Sequence, residues 1–303
     1  MRRIAVCYHP AVTGARAVAE RLAELAGEAG VLAACAELPD GGWALPLAWP
    51  DGQAEFAAAE LLIAVGGDGT MLHASAIAAP AGVPVFGVRM GRLGFLAEST
   101  EAEAERDLRR IIGGAGRIEA RAMVQAQVGA AGAPLHALND VVIGRQHLGR
   151  TVSVGLRVDG VLLAEYRADA VVVATATGST GYALALGGPI LHPGASELVV
   201  VAVAPHLSYR NALVLPGSAS IELEIARAEG CVLLADGGQE QAVEAGARVQ
   251  VTRSPQTTRF LRLGEERQFY ANLARRLGWL RIDHALGDRA PGPEGGAGEA
   301  RGA

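Results

Sequence analysis

The chain has 303 residues, half of them apolar and only 4% aromatic, with 40 glycines and a formal net charge of −5. That length allows two domains with a core of Val, Leu, Ile and Ala, and the acidic balance argues against nucleic-acid binding by bulk charge or a polybasic membrane footprint. Cys7, Cys35 and Cys231 are scattered and odd in number, with no CxxC pair, which points to a reducing compartment and away from a cysteine metal site.

The opening "RIAVCY" (3–8) reads as a buried first strand rather than a signal peptide, and no run reaches the ~18 apolar residues of a membrane span. A cytoplasmic protein is expected. Residues 15–30 carry helical periodicity and end on Gly30, a C-cap signal; "VLAACAEL" (31–38) is a second strand, so the chain opens with a βαβ unit and a parallel sheet. A loop with Trp43, Pro46, Trp49 and Pro50 spans 39–52, followed by a short helix "AEFAAAE" and the strand "LLIAV" (61–65). After "GGDG" a helix starts at Thr70 and is expected to stop at Pro80; "VPVFGVR" is a strand, and 99–112 is a helix with Ser99 or Thr100 as its N-cap.

At "GGAGR" (113–117) the texture changes to short Val-rich runs, with "VLLAEYRADAVVVAT" read as one of them, and helix signals are sparse to about residue 263. Sheets packed face to face are expected there. Residues 266–280 return to helical spacing, and the tail after 285 lacks the apolar content to pack and is expected to be disordered. The division is therefore an α/β domain with a parallel sheet at 1–115, an all-β sandwich-like domain at 116–265, a C-terminal helix at 266–284 and a tail at 285–303.

Three motifs could carry chemistry. In "GGDGT", Gly66, Gly67 and Gly69 let backbone amides approach phosphate oxygens at the N-terminus of the following helix, at the carboxyl end of a strand. Asp68 among those amides would repel phosphate unless it serves the chemistry in another way. It could take a proton from an attacking hydroxyl, or hold a metal that bridges phosphates. Plain helix capping is the blander reading, but it does not require three flanking glycines. The second motif is "GSTGY" (178–182) at the end of a β-branched strand, suited to hydrogen bonding with a sugar or base and equally to a simple turn. The third is Asn139-Asp140, able to read ribose hydroxyls or an amide, and otherwise a turn-initiating pair.

In this order, with "GRLGFLAE" (91–98), "LNDVVI" (138–143), "YRADAVVVATATGSTGYALALGGPIL" (166–191), "APHLSYRNALVLP" (204–216) and "FYANLARRLGW" (269–279), the sequence resembles the NAD kinase family. GGDGT alone is shared with diacylglycerol-type lipid kinases and phosphofructokinases; the combination is specific. The resemblance implies phosphorylation of the adenosine 2′-hydroxyl of NAD by ATP or polyphosphate with Mg²⁺, and a homodimer or homotetramer. It also implies that the C-terminal helix packs back on the first domain. By that resemblance Asp68 is the base, and Gly69 and His73 share its pocket. Phe95 packs on adenine, and Asn139 and Asp140 contact NAD. Arg150 and Arg167 lie near the dinucleotide, and Asp169 is on the nicotinamide side. Thr180, Gly181, Tyr182, Ala185 and Ala204 line the pocket. The chain departs from the family pattern at Asp140 (commonly Glu), Ala170, Ala176, Ala185 and Gly238. A lipid kinase should show a basic or amphipathic membrane-facing segment, which the sequence lacks, and a non-catalytic dinucleotide sensor gains nothing from an acid beside phosphate.

Overall fold

The structure is a computed structural model, and it describes residues 1–38, 58–91, 94–147, 149–206, 210–227 and 230–279. The expected loop at 39–52, most of the short helix before Leu61 and the tail at 285–303 lie outside the described residues. The chain divides into two compact units, Met1–Gly264 and Glu265–Ala303.

The first unit begins with strand β1 (Arg3–Tyr8), helix α1 (Ala15–Glu28) and β2 (Leu32–Glu37), then β3 (Leu61–Gly66), helix α2 (Asp68–Ala81) and β4 (Val85–Arg89). These four strands run parallel in the order β4-β3-β1-β2. Helices cover both faces, so the strands can be apolar throughout, and all six residues of β3 are buried. On one face Ala19, Leu22 and Ala26 of α1 pack with Leu108 and Ile111 of helix α3 (Ala104–Ile112); on the other lie Met71, Ala74 and Ala78 of α2. Gly30 and Gly82, at φ 76° and 66°, follow α1 and α2 in the left-handed conformation that glycine adopts without strain.

Two expectations are corrected here. The helix after GGDG starts at Asp68, and Pro80 sits inside its last turn rather than ending it; the stop is Gly82. Ser99 and Thr100 form a short strand, β5, paired with β4 before a 3₁₀ turn leads into α3. Their hydroxyls bond the Asp107 and Glu103 carboxylates at 2.8 Å in place of capping backbone amides.

The β-rich region runs through β6 (Arg117–Val128), β7 (Leu135–Ala137), β8 (Asp140–Arg145), β9 (Val152–Val158), β10 (Val161–Ala168), β11 (Ala170–Ala174), β12 (Leu198–Val203), β13 (Leu213–Leu215), β14 (Ile221–Arg227), β15 (Cys231–Ala235), β16 (Gln239–Val243) and β17 (Arg248–Arg262). The run 161–175 thus divides at Asp169, with β10 in one sheet and β11 in the other. One sheet has six antiparallel strands, β13-β12-β11-β8-β15-β16. The other sheet, β10-β9-β14-β17, continues through β17 into the parallel strands, with Phe260 beside Val85. Val171, Val173 and Leu233 from the six-stranded sheet meet Leu156, Leu223 and Val249 from its partner in one dry core, the face-to-face packing expected of alternating Val-rich strands. A short helix, α4 (Tyr182–Ala185), lies between β11 and β12 in the chain, and the second unit contains helix α5 (Gln268–Arg276).

Candidate active site

GGDG sits where β3 ends and α2 begins. Gly66 is required by the chain itself, because a Cβ there would lie 2.2 Å from Thr70 Oγ1. Gly67 and Gly69 are not: a Cβ at either meets nothing within 4 Å, and Gly67 at φ −94°, ψ −173° has backbone any residue adopts. Their surroundings, beside the amides that begin α2, are open.

Asp68 is half-buried in the first turn of α2. Its Oδ2 accepts the Phe95 amide at 2.9 Å and its Oδ1 accepts the Leu96 amide at 3.3 Å. The segment that does this must pass close, and Gly94 allows it: a Cβ there would fall 1.9 Å from Asp68 Oδ1. GGDG and residues 94–96 therefore form one cradle, joined through the Asp68 carboxylate. His73, on the same helix, is half-buried; burial and then nearby His9 push its pKa below the ordinary value.

A cavity of about 510 Å³ opens one turn along α2, lined by Leu72 together with Asn139, Asp140, Arg145, Asp169 and Tyr182 among others. Asn139-Asp140 and the GSTGY turn are brought into backbone contact, since a Cβ on Gly178 would lie 2.0 Å from the Asn139 carbonyl oxygen. Gly181 lies beside the Asn139 side chain, and a Cβ there would be 3.5 Å from Nδ2. The Thr175 amide donates to the Asn139 carbonyl at 2.8 Å, and the Thr175 hydroxyl donates to the Leu138 carbonyl at 2.5 Å. Thr180 donates its hydroxyl to the Thr177 carbonyl at 3.0 Å, closing the 3₁₀ turn that leads to Tyr182.

Two charged residues that sequence reasoning passed over belong to this cavity. Arg145 pairs with Asp169 at 2.7 Å, fixing the acid on the cavity wall. Asp236 sits at the tip of the β15–β16 hairpin at φ 49°, and its carboxylate accepts the amides of Leu138, Asn139 and Asp140 at 2.7, 2.7 and 3.1 Å. Burial raises Asp236 to about 6 against the lowering effect of those three amides. Burial, with Asp236 beside it, raises Asp140 to about 7. The Asp-Gly pair of "ADGG" was the available signal, since it marks a hairpin tip with positive φ at both residues.

Other expected residues lie elsewhere. Ala204, at a strained φ of 47°, lines a second cavity of about 480 Å³ with Pro205, His206 and Arg210. Ala185 is exposed on α4, and Arg150 and Arg167 are exposed and do not line the 510 Å³ cavity of their own chain; Arg167 Nε donates to Thr151 Oγ1 at 3.3 Å. Phe95 contributes its amide to the cradle and is not part of that cavity wall.

A carboxylate held beside open, amide-lined space, with a nucleotide-sized cavity of apolar walls and a few polar groups one helical turn away, is the arrangement of a kinase acting on a small hydroxyl-bearing molecule. Family models described as the ATP-NAD kinase N-terminal domain and the ATP-NAD kinase C-terminal domain match residues 46–116 and 138–263. An NAD kinase of Chloroflexus aurantiacus is 41% identical over 221 residues, 72% of this chain and 80% of that protein. One of an Azoarcus species is 38% identical over 227 residues, 74% of this chain and 77% of that protein. Among solved structures, a yeast NADH kinase complexed with NADH shares the fold at a TM-score of 0.80 and 22% identity, covering 93% of this chain and 90% of that one. The chain belongs to the NAD kinase family, the enzymes that phosphorylate NAD to NADP.

Proposed function

We propose that this chain transfers the γ-phosphoryl group of ATP, or a phosphoryl group of polyphosphate, to the 2′-hydroxyl of the adenosine ribose of NAD. The observation that supports the site assignment is Leu72, which lines the cavity one turn beyond Asp68 on the same helix. In this reading Gly67, Gly69 and the first amides of α2 hold phosphate, Asn139, Asp140 and Tyr182 hold the nucleoside, and Arg145 keeps Asp169 in place. Phosphoryl transfer passes through a loose transition state, so orientation and charge neutralisation matter more than a strong base. Asp68 accepts the hydroxyl proton late in the transfer; the Phe95 and Leu96 amides keep its carboxylate from turning away.

Among the described residues no cluster of three or more His, Cys, Asp or Glu is arranged to hold a metal ion. A divalent cation such as Mg²⁺ would arrive on the triphosphate, and Asp68 is the carboxylate of the phosphate loop that would face it; bound there, the cation would neutralise phosphate charge. A homodimer or homotetramer is supported by outer strand β10, where Val161, Leu162 and Leu163 are 66%, 45% and 51% exposed in succession. A cytoplasmic setting is supported by three free cysteines; no helix among the described residues is long and apolar enough to cross a membrane. The division at 115/116 into an α/β part and a β part is supported by the change from helix-covered parallel strands to two facing sheets.

The test is direct. Purified protein is incubated with NAD, Mg²⁺ and either ATP or polyphosphate, and NADP is read with an NADP-specific dehydrogenase. Formation of NADP is expected, and its absence with both donors overturns the proposal.

A further inference from the structure

Two arginines that line neither cavity are buried. Arg121 on β6 and Arg262 at the end of β17 are each 6% exposed, and their guanidinium carbons lie 5.8 and 4.7 Å from the ring centre of Phe260, which is fully buried. Between them Glu119 Oε1 accepts Arg121 Nε at 2.8 Å, Arg121 Nη2 at 2.6 Å and Arg262 Nε at 3.1 Å. Burial alone would raise Glu119; the charges of Arg262 and Arg121 outweigh it and hold the carboxyl at about 2. A buried ion cluster like this is seldom more stabilising than apolar side chains of the same volume. The cluster also makes contacts beyond its own three side chains.

At one end, Arg262 Nη1 donates to the Leu96 carbonyl at 2.7 Å and to Glu98 Oε2 at 3.3 Å. The other Glu98 oxygen accepts the Leu263 and Gly264 amides at 2.9 and 2.7 Å, so β17 and the 96–98 segment are clamped together. Leu96 is the residue whose amide binds Asp68. At the other end, Arg121 Nη1 donates to Thr177 Oγ1 at 3.3 Å. The carbonyl of Thr177 anchors Thr180, in the turn that leads to Tyr182 on the cavity wall. From the Asp68 cradle to the GSTGY turn the path is continuous: Leu96, Arg262, Glu119, Arg121, Thr177. Guanidinium spreads five donors over a rigid fork, so it bonds Glu119 and a distant oxygen at once in set directions.

We infer that Arg262, Glu119 and Arg121 are positioning residues that lock the cradle of Asp68 to the GSTGY turn, setting the carboxylate and the dinucleotide-holding loop in one register. The inference rests on the reading of Asp68 and of that loop given above. None of the three residues lines either cavity described above.

The experiment is a double-mutant cycle on the full chain, with kcat, KM for NAD, NAD binding by calorimetry and thermal melting measured for each protein. Arg262→Lys keeps the charge but replaces the rigid fork with one ammonium nitrogen on a flexible stem, so the fixed geometry between Glu119 and the Leu96 carbonyl is lost. It is expected to lower kcat by about tenfold with KM for NAD changed less than about twofold, because the cradle moves and the loop does not. Thr177→Val removes only the hydroxyl that receives Arg121 and is expected to raise KM for NAD by roughly threefold or more. In the double variant the loss in kcat/KM is expected to fall short of the product of the single losses by about threefold or more, the sign of a shared network. Losses that multiply within about twofold would overturn the inference, as would an Arg262→Lys defect seen only in melting temperature, with kcat per NAD-binding site unchanged. If Arg262→Lys does not fold, Glu98→Gln replaces it in the cycle under the same criterion. Wild-type protein runs in every assay, so failure to make NADP refutes the proposed activity, whereas a working wild type with multiplicative losses refutes the relay alone.

Discussion

Replacing Asp68 with Asn separates the proposed base from the loop-holding hydrogen bonds of the same side chain. A proton acceptor positioned as proposed would contribute about 10²- to 10⁴-fold in rate. As the acceptor for two backbone amides at 2.9 and 3.3 Å, Asp68 also holds the 95–96 segment. An asparagine offers one oxygen, and its NH₂ must face one of those amides, so one hydrogen bond is lost at a cost of about 1–3 kcal/mol, nearer the lower bound at a half-buried site. For a chain of this size that is about 2–4 °C in Tm per kcal/mol. The expected result is therefore a modest fall in Tm, a fall in kcat of at least about 100-fold, and calorimetric NAD affinity within a few-fold of wild type. Gly94→Ala supplies the control from the other side. It leaves every functional group in place but puts a methyl 1.9 Å from Asp68 Oδ1, so kcat should fall because the carboxylate is displaced. If Asp68→Asn lowers Tm as stated but keeps kcat within about tenfold, the carboxylate only ties down the loop and its assignment as base is wrong.

Two further predictions concern residues around the same site. Gly67→Ala has free space and an allowed backbone, so it should leave Tm unchanged or raise stability by about 0.4–1 kcal/mol while reducing kcat/KM for ATP by on the order of 10- to 100-fold. Gly66→Ala, whose Cβ would collide with Thr70, should instead lower Tm first; equal effects at the two positions would contradict phosphate occupancy beside Gly67. The Asp140 carboxyl, raised from 3.8 to about 7, binds its proton more tightly folded than unfolded. Its contribution to stability is full below about pH 4 and is lost as pH rises toward 7, so wild-type Tm should decline over that range by more than that of Asp140→Asn. A difference in Tm between the two proteins that does not change from pH 5 to pH 8 would remove that coupling.

How much of this the sequence disclosed depended on the range of the interaction behind each feature. β1, α1 and β3 were legible because burial on both faces and helical periodicity leave their mark within ten residues. The glycine-flanked Asp68 was legible for a similar reason, as an unusual local composition. The break of the run 161–175 at Asp169 was not, because Asp169 turns the chain from one sheet to the other and its partner, Arg145, lies 24 residues away. Pro80 does not end α2, which runs one residue further, to Ala81, before the left-handed Gly82 stops it.

The site itself divides along the same line. Its reactive and ligand-facing groups sit in short motifs that a local reading can find. What sets those motifs against one another is long-range: Asp236 reaches back 96 to 98 residues to hold 138–140, and Arg262 reaches back 166 residues to the Leu96 carbonyl. No periodicity marks such residues, since an Asp in a hairpin tip and an Arg at a strand end have common local explanations. Their work is visible only once β17 has threaded from the facing sheets into the parallel one and carried Arg262 to the cradle of Asp68. The motifs therefore name the reaction, while the buried charges between them fix the distance at which it can occur. Departures such as Ala170 and Ala176, which leave these long-range bonds in place, should alter affinity before they alter the chemical step.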